Sequence, residues 1–187
     1  MPPPPLHTVG HSTRSADDFV ALLRAHGVRT LVDVRRYPGS RRHPQFNREA
    51  LARTLEAAGI AYRHEEDLGG RRGTPVAASP NAGWRNASFR AYADHTATPA
   101  FREALDRILD VQDPAEAPVA VMCAEAVPWR CHRQLIADAA VARGREVRHI
   151  LSAERAEPHA LNPMGRVVGD GVVVYPPEGA AQGDLFG

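Results

Sequence analysis

The chain has 187 residues, of which 43% are hydrophobic and 24% charged, values that are typical of one globular domain. Its two cysteines are too few for a disulfide framework, and no apolar run reaches the roughly 20 residues that span a bilayer. The formal net charge of +1 names no partner, and all 23 basic side chains are arginine. The proline-rich N-terminus does not resemble a signal peptide, so a cytoplasmic protein without a membrane partner is expected.

The predicted strands and helices alternate along the chain. They comprise a strand at 6–9, a helix from Ser15 to Gly27, a strand at 30–35, a helix that Asn47 caps and Gly59 ends, a strand at 60–64, helices at about 88–95 and 98–110, a strand at 119–122, a helix at 129–143, a strand at 147–151 and a hairpin at 166–175.

This alternation predicts an α/β fold: a three-layer, mostly parallel sheet with helices on both faces, followed by a C-terminal hairpin and tail. The single α/β domain is expected to cover residues 6–175. A disordered tail at 1–5 precedes it, and a flexible tail at 176–187 follows it.

Polar residues follow three of the predicted strands at the point where each strand ends. They are Gly10-His11-Ser12, Asp33-Val34-Arg35 and Cys123-Ala124-Glu125. Sites in parallel sheets lie at the carboxyl ends of the strands, so one composite pocket is expected here. We predict that Asp33 and Glu125 act as acid/base carboxylates, with His11 and Cys123 as further catalytic candidates. The predicted substrate-binding side chains are Ser12, Arg35, Tyr37, Arg130, His132 and Arg133.

Cys123 allows two interpretations. A thiol at a strand-to-helix turn can have a lowered pKa and act as a nucleophile, whereas most free cysteines are small buried apolar groups. The spacing Cys-x6-Arg to Arg130 approaches the Cys-x5-Arg loop of tyrosine phosphatases without matching it, and Glu125 would repel a phosphate. The buried interpretation is therefore favoured, and the carboxylates are the better catalytic candidates.

A zinc site built on Cys123, Cys131, His132 and His11 is not expected. The spacing Cys-x7-Cys-His from Cys123 to His132 fits no common zinc pattern. We therefore predict no metal and no cofactor.

A basic segment from Arg35 to Arg48 contains five arginines and one histidine, has no acidic residue, and includes two aromatic residues. Basic side chains interleaved with aromatic rings suit the backbone and unstacked bases of a nucleic acid, and DNA is the predicted partner. A solvated loop in an arginine-rich chain is the alternative. The predicted nucleic-acid contacts are Arg36, Arg41, Arg42, His43, Arg48, Arg71 and Arg72.

The C-terminal residues Gln182-Gly183-Asp184-Leu185-Phe186 resemble the short peptide by which bacterial replication and repair proteins bind the sliding clamp. Leu185 and Phe186 would enter an apolar pocket, and Gln182 would fix the register. Gly183 stands where an apolar residue is common, which should weaken such binding.

Several motifs together resemble the family called domain of unknown function 488, over about residues 7 to 151. They are Thr8–Ser12, Asp33–Arg35, Tyr37–Pro38, Phe46–Asn47, Leu68–Gly70, Cys123–Glu125 and Cys131–Arg133. The resemblance implies that the matched residues form one site. Members are often labelled as related to DNA repair, but no mechanism carries over.

The favoured hypothesis is a DNA-repair-associated protein, an enzyme acting on DNA bases or nucleotides as a glycosylase-like or nuclease-like hydrolase. One alternative is a cysteine-dependent phosphatase or sulfur transferase on a small molecule. The other is a non-catalytic module that binds the sliding clamp.

Overall fold

The computed structural model describes residues 2–111, 113 and 116–179, and within them eight strands and five α-helices follow one another. The strands and helices are β1 (Leu6–Gly10), α1 (Ala16–Ala25), β2 (Thr30–Asp33), α2 (Arg48–Ala57), β3 (Ala61–His64), α3 (Ala87–Thr96), α4 (Pro99–Leu109), β4 (Val119–Cys123), α5 (Arg133–Ala142), β5 (Val147–Ile150), β6 (Ala156–Pro158), β7 (Arg166–Val168) and β8 (Val172–Val174).

Local sequence signals set the helix ends. The Ser15 side chain accepts a backbone hydrogen bond in the first turn of α1, as predicted. Gly27 and Gly59 follow α1 and α2 with φ of +65° and +74°, a backbone conformation that a side chain disfavours. Asn47 occupies the N-cap position of α2, as predicted, but its side chain makes no capping hydrogen bond. Its side-chain oxygen instead accepts from the Ser40 backbone N–H at 2.6 Å, which anchors the basic segment.

Six strands form one sheet in the order β3-β2-β4-β1-β5-β6. The first five strands of this order are parallel, while β6 pairs antiparallel with β5 at the edge. Strands β7 and β8 form a separate hairpin. The α/β fold with a mostly parallel sheet and a C-terminal hairpin is therefore confirmed. The edge strand β6 was not predicted, because its three residues carry no apolar run.

The sheet has an apolar core on each face, and different helices cover the two faces. Phe19 of α1 and Leu51 of α2 belong to one core. Tyr92 of α3, Phe101 of α4 and Leu135 of α5 belong to the other. Helices on both faces account for the fully buried pattern of β1, β2 and β4.

A chain of buried polar groups joins the sheet to the C-terminal hairpin. Thr8 Oγ1 lies 2.7 Å from His149 Nδ1, and His149 Nε2 lies 2.9 Å from His159 Nδ1. His159 Nε2 then contacts Asp138 Oδ1 at 2.8 Å, and the Tyr175 hydroxyl donates to Asp138 Oδ2 at 2.7 Å. The end of the hairpin is thereby held against α5 by satisfied polar groups rather than by apolar packing alone.

No helix in the described part of the chain is long and apolar enough to cross a membrane.

Candidate functional site

The carboxyl ends of β1, β2 and β4 lie side by side at one edge of the sheet. In the parallel register, Gly10 stands opposite Cys123, and Asp33 stands opposite Met122. The pairing continues past the strand ends, because His11 N–H donates to the Cys123 carbonyl at 3.0 Å and Ser12 N–H to the Ala124 carbonyl at 3.0 Å. The strand order thus brings together the three predicted polar ends, which are far apart in the sequence.

Gly10 permits the close approach of the turn that follows β4. A Cβ atom at this position would lie 1.8 Å from the Glu125 carbonyl oxygen and 2.5 Å from its carbon. Only glycine fits such a contact with backbone. The backbone around Glu125 is therefore seated directly on the end of β1.

A cavity of about 440 Å³ opens above these strand ends. Its lining contains ten titratable side chains, from the strand ends, the basic segment and the start of α5. They are His11, Arg35, Arg36, Tyr37, His43, Arg71, Cys123, Glu125, Cys131 and His132. Nine of these were predicted as site residues, and the tenth, Cys131, belongs to a motif that carried the family resemblance.

Asp33 lies beneath the cavity and is fully buried. Its two oxygens accept from Arg35 Nε at 2.9 Å and Arg35 Nη2 at 2.6 Å, and Oδ2 also accepts from the Tyr62 hydroxyl at 2.8 Å. Burial, followed by the Asp33 charge, raises the pKa of Tyr62, which keeps this donor protonated. The carboxylate is fully engaged, and this geometry suits it to positioning Arg35 rather than to proton transfer.

His11 forms one wall of the cavity as a neutral ring. Its Nδ1–H donates to the Ser12 carbonyl at 2.8 Å, which leaves Nε2 unprotonated and 3.5 Å from Arg35 Nη1. The ring stacks on Phe46 at a centroid distance of 4.2 Å. Burial lowers the pKa of His11 to about 4, and the positive charge of Arg35 adds to this shift.

Cys123 and Cys131 form a thiol pair in the cavity wall, with their sulfur atoms 2.8 Å apart. Arg133 lies behind the pair with no exposed surface, donating to Thr8 Oγ1 at 3.0 Å and to the Glu125 carbonyl at 2.8 Å. Burial raises the pKa of Cys123, but the hydrogen bond from Cys131 and the charge of Arg133 outweigh it, so the pKa is lowered. Cys123 is thus the more acidic thiol of the pair.

The basic segment forms the outer rim of the cavity. The Arg36 guanidinium lies 5.6 Å from the centre of the Tyr37 ring, and 63% of Tyr37 is exposed. Arg71 joins this rim from the loop after β3, where its carbonyl accepts from Arg36. Positive charge and an exposed aromatic face therefore meet at the cavity mouth.

A second hollow of about 190 Å³ adjoins the first and shares five lining residues with it, which are Gly70, Arg71, Glu125, Cys131 and His132. The rest of its lining is formed by Arg130 and by Ser88, Phe89 and Tyr92 of α3. No residue of α3 was predicted as part of the site. Nothing in the helical pattern of α3 distinguishes the turn that faces the hollow from the rest of the helix.

Several predicted site residues lie outside the cavity lining. Arg133 is buried behind the thiol pair, and Ser12 is tied to Ala124 with φ of +51°. Arg72 turns back to the Glu66 and Gly69 carbonyls. Arg41, Arg42 and Arg48 are exposed on the surrounding segment, and the clamp-like residues Gln182, Leu185 and Phe186 lie outside the described residues.

A larger hollow of about 790 Å³ borders the loop before α3 and the segment after β8. The charged groups among its described lining residues are Arg85, Arg166 and Glu178, and these residues include no histidine or cysteine. The smaller cavity at the sheet edge, which contains histidines, cysteines and Glu125, is therefore the better candidate for a catalytic site. In the part of the chain that the structure describes, no group of three or more ligating side chains could hold a metal ion.

The structure defines an α/β protein whose candidate site lies at the carboxyl edge of a mostly parallel sheet, where ligand sites of this architecture occur. The chain belongs to the family described as domain of unknown function DUF488, whose model matches residues 15–140. The match spans β2, β4 and most of α5, and so covers most of the cavity lining. Neither the curated proteins nor the solved structures contain a match to the chain.

Proposed function

We propose that this protein is a DNA-processing enzyme that holds an unstacked nucleotide of single-stranded DNA in the cavity at the sheet edge. The observation that supports it is the cavity mouth, where Arg36, Arg71 and the exposed face of Tyr37 converge. Aromatic faces stack on unpaired bases whatever their sequence, and arginines track the phosphate backbone. A base on Tyr37 would place its nucleotide above Cys123 and Glu125.

The rest of the basic segment extends this surface. Arg41, Arg42 and Arg48 are exposed on this segment, which is anchored through Asn47 and Ser40. Arg35 is neutralised by Asp33 and supports the cavity wall. The exposed arginines are therefore the expected phosphate contacts, and DNA binding through them should weaken as the salt concentration rises.

Glu125 is the proposed acid/base group. Its side chain is exposed in the cavity lining, whereas the carboxylate of Asp33 is engaged beneath it. A hydrolytic step needs a carboxylate that can reach a water molecule or a leaving group, and Glu125 meets that requirement. A role in DNA repair, a cytoplasmic location and clamp binding through Gln182, Leu185 and Phe186 remain predictions.

Fluorescence anisotropy with a labelled single-stranded oligonucleotide tests the binding. We expect binding at low salt that weakens as salt is raised, and a loss of roughly 5-fold to 100-fold in affinity for Tyr37→Ala. Arg71→Ala should weaken binding and reduce the salt dependence. Arg29→Ala is the matched control, because Arg29 is exposed just before β2, at the opposite edge of the sheet.

Two results would contradict the proposal. One is the absence of binding at low salt. The other is equal affinity of the Tyr37→Ala, Arg71→Ala and Arg29→Ala proteins.

The enzymatic part is tested with oligonucleotides that carry single damaged bases, analysed on denaturing gels. Glu125→Gln should retain binding and lose product formation.

A further inference from the structure

Two cysteines that are eight positions apart in the sequence meet in the wall of the cavity. Cys123 ends β4, and Cys131 lies just before α5, with a short 3₁₀ turn between them. Their sulfur atoms are 2.8 Å apart, and both residues line the cavity. They are also the only cysteines of the chain. The two sulfur atoms would have to approach by less than about 1 Å to reach the length of a disulfide bond.

The surroundings of the pair make its two thiols unequal. Arg133 is a fully buried cation, and within the described residues no carboxylate forms an ion pair with it. Its Nε–H also has no hydrogen-bond partner there. A buried charge is stable only when it is compensated, and a Cys123 thiolate would supply the missing negative charge. Cys131 donates to Cys123, and this bond raises the pKa of Cys131.

We propose that Cys123 and Cys131 form a thiol–disulfide exchange site, in which Cys123 attacks a small anionic disulfide and Cys131 resolves the product. The cavity determines the substrate class. Only 3% of Cys123 and 5% of Cys131 is exposed, so the substrate must be small enough to enter the cavity. With Arg35 paired to Asp33, the lining still carries Arg36 and Arg71 against the single carboxylate of Glu125, and this excess of positive charge favours a negatively charged disulfide.

The exchange proceeds in two balanced steps. The Cys123 thiolate attacks one sulfur of the disulfide, the sulfur–sulfur bond breaks, and one half leaves as a thiolate, so that a mixed disulfide forms. Cys131 then loses its proton to water and attacks Cys123 Sγ, and the second half leaves as a thiolate. The protein gains one disulfide bond, and the substrate is reduced to two thiols.

His132 contacts the resolving thiol. Its Nδ1 lies 3.5 Å from Cys131 Sγ. Burial, with the nearby charge of Arg133, lowers the pKa of His132 to about 4, so the ring is neutral near pH 7 and is too weak a base to take the Cys131 proton. The whole scheme is independent of DNA binding and of Glu125.

Dithiobis(nitrobenzoate), a small anionic disulfide that releases a coloured thiolate, is the probe. The folded wild-type protein should release two thiolates per chain, retain no adduct and lose two hydrogens by mass spectrometry. Cys131→Ser should release one thiolate and retain one adduct. Cys123→Ser should react at least about tenfold more slowly than Cys131→Ser, because only the less acidic thiol remains.

The wild-type mass by itself decides the outcome if a serine variant fails to fold. A retained adduct without an internal disulfide would overturn the proposal, as would a protein that reacts only after urea unfolding. Equal rates for Cys123→Ser and Cys131→Ser would refute the assigned roles. Arg71→Ala should slow the reaction with the anionic probe but not with neutral hydroxyethyl disulfide, and Arg29→Ala should change neither.

Discussion

Gly10→Ala tests how closely the turn after β4 packs on the end of β1. The new Cβ would lie 1.8 Å from the Glu125 carbonyl oxygen and 3.0 Å from Ala126 Cα. The Glu125 peptide would have to move by about 1.2 Å to reach even the shortest tolerated separation of 3.0 Å. Such a shift pulls on three hydrogen bonds, which are donated by His11 N–H, by Ser12 N–H and by the Arg133 side chain.

Overpacking against backbone and the weakening of these bonds should together cost about 3 kcal/mol of unfolding free energy. That cost corresponds to a fall in melting temperature of roughly 6–12 °C for a chain of this length. Urea unfolding followed by circular dichroism measures it. Gly39→Ala is the matched control, because a Cβ there meets nothing within 4 Å, and it should stay within about 0.5 kcal/mol of wild type. A Gly10→Ala protein as stable as Gly39→Ala would refute the described packing.

Two further predictions concern buried charge at the site. Arg35→Ala should lower the unfolding free energy by about 3–5 kcal/mol, because it leaves the fully buried Asp33 without its cation. Urea titration measures this loss, and a change below about 1 kcal/mol would show that the pair is not structural. Stability should also fall between pH 7.5 and pH 5. Burial lowers the pKa of His11 and His132 to about 4, whereas the unfolded chain takes up these protons near 6.5. The stabilisation from each neutral histidine is complete above about pH 6.5 and is lost progressively as the pH falls towards 4. The loss for each histidine reaches about 2 kcal/mol at pH 5. Equal urea midpoints at pH 7.5 and pH 5 would contradict this reasoning, and His132→Gln should flatten the pH dependence.

Local patterns in the sequence determined the elements of this protein. A continuous apolar run such as Val119–Met122 identifies a strand that is buried on both faces, and a glycine such as Gly27 ends a helix because it tolerates positive φ. The polar residues after β1, β2 and β4 were also identifiable, because composition changes abruptly where a buried strand ends. The composite pocket followed from the rule that parallel strands present their carboxyl ends at one edge.

Only the tertiary structure decided how those polar residues divide their roles. The sequence shows Asp33 and Arg35 as two candidates, but pairing through space engages both and leaves Glu125 as the exposed carboxylate. Asparagine is a preferred N-cap residue, yet the Asn47 side chain accepts a hydrogen bond from the Ser40 N–H instead of capping the helix. Such choices depend on which groups meet, and no local pattern encodes them.

The thiol pair shows most clearly the difference between what the sequence determined and what the tertiary structure decided. The sequence contains two cysteines and an arginine at the start of a helix, a pattern that suits an inert core as well as a reactive site. The 2.8 Å contact between Cys123 and Cys131 depends on how the turn between β4 and α5 folds back, and that turn is seated on the end of β1. The strand order that places β4 between β2 and β1 comes from long-range pairing of buried strands, whose apolar runs are interchangeable in composition. Periodicity therefore determined which segments are strands, and packing determined which of them are neighbours.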